Sequence, residues 1–135
     1  ADVRAAKAAG AKFGVSPGAT DALLQACEDE DLPLLPGAAT ASEAMRLLER
    51  GYDVMKFFPA EASGGAKALK AIGGPLPQIS FCPTGGVSTG NLNDYLGLSN
   101  VLCAGGSWVA PAAMVEAGQW DEIEKLARAA VELAA

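Results

Sequence analysis

Val54-Met55-Lys56-Phe57-Phe58-Pro59 and, one unit later, Ile79-Ser80-Phe81-Cys82-Pro83 decide the fold class. Both runs are apolar almost throughout rather than alternating, the pattern of strands covered on both faces in a parallel sheet. Working outward, three further runs have the same form: Lys12-Phe13-Gly14-Val15-Ser16-Pro17-Gly18, Leu32-Pro33-Leu34-Leu35-Pro36-Gly37 and Val101-Leu102-Cys103-Ala104-Gly105-Gly106. Their closing residues, Pro17, Pro36, Pro59, Pro83 and Gly105, stand 19 to 24 residues apart, the length of one βα unit.

The intervals carry helix signals. Thr40 followed by Glu43 is a capping box, with Ala44, Leu47 and Leu48 as the apolar stripe and Gly51 as the stop. Thr20 opens a helix through Leu23, Leu24 and Cys27. Ser88 is expected to cap another with Leu92, Tyr95 and Leu96, and Ile123, Leu126, Ala130 and Leu133 keep helical spacing to the end. The Ala-rich first nine residues, stopped by Gly10, read as a helix as well. Strict alternation of strand and helix makes the class α/β, either a doubly wound sheet or an eight-stranded (β/α)₈ barrel. Five units cannot close eight strands. Ala1 falls in mid-helix with no Met and no leading strand, so the sequence is expected to be the C-terminal part of a longer protein, one domain across 1–135.

Composition narrows the function. A length of 135 residues, half of them apolar and 19% charged, suits one ordered domain and excludes disorder. No apolar run approaches the roughly 18 to 20 residues of a membrane helix, and nothing resembles a secretory leader, which argues for a cytoplasmic protein. A net charge of −6 disfavours nucleic acid and anionic membrane surfaces. Three cysteines without C-x-x-C spacing suggest neither a disulfide framework nor a zinc site. The absence of histidine removes Ser-His-Asp and Cys-His chemistry from these residues. Catalysis must then run on Lys, carboxylates, hydroxyls or backbone amides.

Period two places Lys56 on one face with Val54 and Phe58, and Met55 and Phe57 on the other, toward the helices. Lys56 is thus expected to point inward. An amine among apolar side chains gives up its ammonium form more readily and can attack a carbonyl to form a Schiff base. The plainer alternative is a lysine that reaches out to solvent at the strand end or pairs with Glu61. Cys82-Pro83-Thr84-Gly85-Gly86-Val87-Ser88 offers a glycine pair between a strand and a helix start, where backbone amides can cradle a phosphate. Gly105-Gly106-Ser107 offers the same with a hydroxyl. Either pair alone is equally a tight turn; two on consecutive units after a strand lysine suggest one phosphate site. Pro17-Gly18 and Pro36-Gly37 read as turn punctuation, though Pro17 at a strand end can line a pocket. Cys27 reads as core, Trp108 and Trp120 as packing anchors, and Lys67, Lys70, Lys125 and Arg128 as solvated helix faces.

Taken in order, Gly14-Val15-Ser16-Pro17-Gly18, Pro33-Leu34-Leu35-Pro36-Gly37, Lys56-Phe57-Phe58-Pro59-Ala60-Glu61, Phe81-Cys82-Pro83-Thr84-Gly85-Gly86-Val87 and Gly105-Gly106-Ser107-Trp108 resemble the 2-dehydro-3-deoxy-6-phosphogluconate (KDPG) and 4-hydroxy-2-oxoglutarate (KHG) aldolases. The resemblance implies a (β/α)₈ TIM barrel of the class I aldolase type, with about strands 4–8 in this chain. It implies cleavage of the phosphorylated keto acid to pyruvate and glyceraldehyde 3-phosphate in the Entner–Doudoroff pathway, with KHG as a further substrate, by a homotrimer needing no metal or organic cofactor. Lys56 then matches the Schiff-base lysine. Thr84, Gly85, Gly86 and Ser107 match phosphate and substrate contacts, and Pro17 and Phe58 match the pyruvate pocket. The family's acid/base glutamate and substrate-binding arginine lie in a stretch with no counterpart here, and neither Glu43 nor Glu61 is a convincing substitute. These residues alone are therefore expected to lose most activity and to bare a sheet edge. The competing functions are a phosphate-handling isomerase or epimerase, and a non-catalytic sugar-phosphate-binding module.

Overall fold

The computed structural model describes residues 2–134, so Ala1, on which the mid-helix start turns, lies outside the described residues. Strand and helix alternate up to α5, with two short strands in the second unit and helices alone at the end: α1 (Asp2–Ala8), β1 (Gly14–Val15), α2 (Asp21–Asp29), β2 (Leu34–Leu35), β3 (Gly37–Ala38), α3 (Ala41–Glu49), β4 (Val54–Phe57), α4 (Gly65–Gly73), β5 (Ser80–Pro83), α5 (Leu92–Leu96), α6 (Ala112–Glu116) and α7 (Trp120–Ala134). Every strand pair is parallel, β1 with β2 and β3 with β4 with β5. The α/β class expected from the spacing is thus present as two parallel sheets.

Two of the five runs depart from single strands, and proline explains both. The second run is split by Pro36, which has no N–H to give to a ladder. Leu34–Leu35 pairs with β1, whereas Gly37–Ala38 pairs with β4. The fifth run is no continuous strand. It meets β5 and the residue after it only at the bridges Phe81–Val101 and Thr84–Gly105, between which the register steps by one residue at Pro83.

The core lies between the sheet and its helices. Met55, Phe57 and Phe81 face it fully buried, the two phenyl rings edge-on at 6.4 Å, and Leu24, Leu47 and Leu69 come down from α2, α3 and α4. Cys27 is buried as expected, but Trp120 is 62% exposed and anchors nothing. Among the described residues no helix is long and apolar enough to cross a membrane, and no cluster of three or more His, Cys, Asp or Glu is placed for a metal ion.

Helix ends follow the local code in two places. The Thr20 hydroxyl accepts from the Leu23 amide. At α3 the Thr40 hydroxyl accepts from the Glu43 amide at 3.3 Å while the Glu43 carboxylate accepts from the Ala39 and Thr40 amides at 2.9 Å. Ser88, by contrast, caps no helix. Its amide donates to the Asn91 side chain at 2.7 Å, forming a turn that delays α5 to Leu92.

The Ala39 amide, helped by Thr40 and opposed by burial, holds the Glu43 carboxyl below its ordinary range. A group with a depressed folded pKa stabilises above its unfolded pKa and loses that contribution as pH falls through the folded one. Wild type and Glu43→Gln are therefore expected to converge in urea-unfolding stability between about pH 5 and about pH 3. Thr40→Ala should cost about 1 kcal/mol at neutral pH.

Candidate active site

Burying Met55 and Phe57 turns Lys56 to the opposite face of β4, beside Val54. That face is the more open one, contrary to the expectation that Lys56 is enclosed: Lys56 is half-buried, because the apolar helices cover only the other side. Its cross-strand neighbours are small, Gly37 on one side and Cys82 on the other. The ammonium nitrogen stands 4.4 Å from the centroid of the Phe58 ring. Glu61 does not pair with it; the Glu61 carboxylate accepts instead from the Tyr95 hydroxyl.

Lys56 and Phe58 form one wall of an open depression of about 940 Å³, and the other walls are the segments Thr84–Ser88 and Gly105–Trp108 with Pro111 and Ala112. The structure therefore brings Lys56, Phe58, Thr84, Gly85, Gly86 and Ser107 to a single site. Pro17 stays outside it. It is exposed, with its backbone against Gly37, the residue opposite Lys56 in the register.

The two glycine loops meet because the Thr84–Gly105 bridge joins them, with the Gly105 amide donating to the Pro83 carbonyl at 3.0 Å. The carbonyl side of the first loop is fully engaged. Thr84 accepts from the Ala60 amide at 2.8 Å, Gly85 from the Glu61 amide at 3.0 Å, and Gly86 from the Asn91 side-chain amide at 3.1 Å. Among the described residues no acceptor meets the amides of Gly85, Gly86, Gly106 or Ser107. Gly85 and Gly86 hold φ of +93° and +83°, a conformation that side chains resist, and a Cβ on Gly86 would lie 2.6 Å from Glu61 Cγ. Donors lined up this way with their carbonyls tied back make a cradle for an anion. The helix start expected to assist it contributes nothing, since α5 begins six residues beyond Gly86 and is short.

Two buried polar atoms of the depression have no partner, Thr84 Oγ1 and Trp108 Nε1. Such groups are costly to leave unpaired unless something polar binds there. Trp108 packs against the core, as its reading as a packing anchor expects, and also lines the depression, next to Gly105-Gly106-Ser107. Cys82 shares the face of Lys56. Burial, then Cys103, pushes its thiol up to about 12, against the opposing pull of Lys56.

Residues 1–126 match the family model described as KDPG and KHG aldolase. A 2-dehydro-3-deoxy-phosphogluconate aldolase of Pseudoalteromonas atlantica is 58% identical over 96% of the chain and 60% of its own length. A KDPG aldolase from Legionella pneumophila, solved with pyruvate captured at low pH as a covalent carbinolamine intermediate, superposes with a TM-score of 0.85 at 49% identity, over 89% of this chain and 58% of that one. The 2-keto-3-deoxy-6-phosphogluconate aldolase of Zymomonas mobilis, solved with 3-phosphoglycerate, gives 0.79 at 44% identity, over 82% and 53%. The chain thus spans about 60% of the length of the curated relative it matches.

Under native conditions iodoacetamide is expected to label exposed Cys103 well before Cys82, whose thiol burial pushes up, or buried Cys27. Peptide mass spectrometry reads the order. Gly86→Ala should cost about 1 to 3 kcal/mol in urea unfolding, because the left-handed backbone and the Glu61 stem both oppose the methyl group.

Proposed function

The chain belongs to the KDPG and KHG aldolase family, and from that premise we propose that it carries the Schiff-base centre of a class I aldolase. The substrate is 2-dehydro-3-deoxy-6-phosphogluconate, cleaved to pyruvate and glyceraldehyde 3-phosphate, with 4-hydroxy-2-oxoglutarate as a smaller substrate of the same centre. The observation that carries this reading is the pairing of a strand amine with an anion cradle across one depression. A keto acid with a distant phosphate needs both.

The Lys56 amine adds to the C2 carbonyl, giving a carbinolamine that loses water to a protonated Schiff base. That cation accepts the electron pair of the C3–C4 bond as it breaks, while the C4 hydroxyl gives up its proton and leaves as the aldehyde. The resulting enamine takes a proton at C3, and water releases pyruvate from Lys56. Phe58 closes one side of the amine and screens it from water. Gly85, Gly86, Gly106 and Ser107 supply amides for the phosphate, and Thr84 Oγ1 a hydroxyl for substrate. Pro17 lies outside the depression, its backbone packed against Gly37, and takes no part in this reading.

We place the chain in a (β/α)₈ barrel as about strands 4–8, within one domain spanning 1–135, working in the cytoplasm as a homotrimer. Support comes from the parallel ladders and from Val54, 38% exposed on the face of β4 that the helices leave uncovered, which an enclosed barrel interior would bury.

One observation favours a second reading. Among the described residues lining the depression there is no carboxylate to move the C4 proton. On that reading the protein binds sugar phosphates without turning them over.

Borohydride reduction in the presence of pyruvate, read by peptide mass spectrometry, is expected to fix a stable adduct on Lys56. Lys56→Ala should abolish it and lower kcat by more than about 10³-fold. No adduct in the wild type would refute the Schiff-base role. An adduct without turnover of the phosphorylated keto acid would select the binding reading, and light scattering tests the trimer.

A further inference from the structure

Behind the first glycine loop, on the side away from Lys56, Glu61 and Tyr95 form a buttress that the chemistry of the amine does not use. Tyr95 is fully buried, and its hydroxyl donates to the Glu61 carboxylate. Burial and this bond together push the phenol well above its ordinary range, so it stays a donor. The Glu61 stem lies where a Cβ of Gly86 would be, and the Glu61 amide donates to the Gly85 carbonyl at 3.0 Å. The carboxylate opens on a separate hollow bordered by Gly65, Lys67, Lys70 and Tyr95, not on the depression that holds Lys56.

We propose that Glu61 and Tyr95 are positioning residues for phosphate recognition, holding the Gly85–Gly86 peptide with its carbonyls inward and its amides toward the anion. The proposal rests on the phosphate site of the functional reading above. The physical argument is preorganisation. Two successive residues at positive φ form a backbone that would otherwise sample many states, and a loop ordered beforehand binds more tightly than one ordered by its ligand. A carboxylate this close to an anion site would by charge alone repel phosphate; it is tolerated because it faces the other hollow and is held there by Tyr95.

The charge and the clamp make opposite predictions. In the full protein, titration calorimetry with inorganic phosphate is expected to show about 10-fold weaker binding for Tyr95→Phe and Glu61→Ala, and near wild-type binding for Glu61→Gln, whose amide oxygen still accepts the Tyr95 proton. KM for the phosphorylated keto acid should rise in parallel, with borohydride trapping of pyruvate on Lys56 retained as evidence of an intact fold and amine. Wild-type protein that binds no phosphate, a Tyr95→Phe protein that binds it as well as wild type, or Glu61→Ala and Glu61→Gln proteins that both bind it more tightly would overturn the proposal. Failure of the aldolase reading is separate, since it appears as a wild type that traps no pyruvate while phosphate binding still follows the clamp.

Discussion

The two faces of β4 carry different obligations, and the site follows from that division. Met55 and Phe57 are completely buried against helix side chains and Phe81. Because side chains alternate along a strand, their burial leaves Lys56 only the other face. A slip of one residue would drive an ammonium group into the hydrocarbon core and two large apolar side chains out of it, each unfavourable by several kcal/mol. The position of the amine is thus enforced by the hydrophobic effect acting on its neighbours. The strands beside it contribute Gly37 and Cys82 at the same level, residues small enough to leave space above the nitrogen.

Proline sets where the ladders stop, and the stops create the cradle. Pro36 divides the second run between two sheets, and Pro83 ends regular pairing of β5 with the fifth run. Beyond Pro83 the register shifts, so that Thr84 lies beside Gly105 and the two glycine loops share a border. The backbone polar groups of the first loop are then sorted, carbonyls tied to residues 60, 61 and 91, amides unmet. Those unmet amides are the donors that the proposed phosphate site relies on.

Much of this was legible beforehand. The α/β class followed from apolar runs at a constant step, α3 from its capping box, and the residues now gathered round the depression from two glycine pairs following a strand lysine. Ser88 misled because its side chain and amide were captured by Asn91, a contact within a turn that competes with the helix start. Trp108 does pack against the core as read, and its second place, in the wall of the depression, carried no separate sign in the sequence. Pro17 matched a pocket position by resemblance, yet here it remains outside the depression.

From the residues alone one could read an alternation of buried parallel strands and helices and name the amine and glycines that are candidates for the chemistry, since alternation, caps and turn residues act over a few positions of chain. What awaited the three-dimensional arrangement was the half-open setting of Lys56, the one-residue shift that joins the loops, and the Glu61–Tyr95 contact behind them. Those depend on register and close approach between residues tens of positions apart, and such contacts are decided by how whole faces pack rather than by any local pattern.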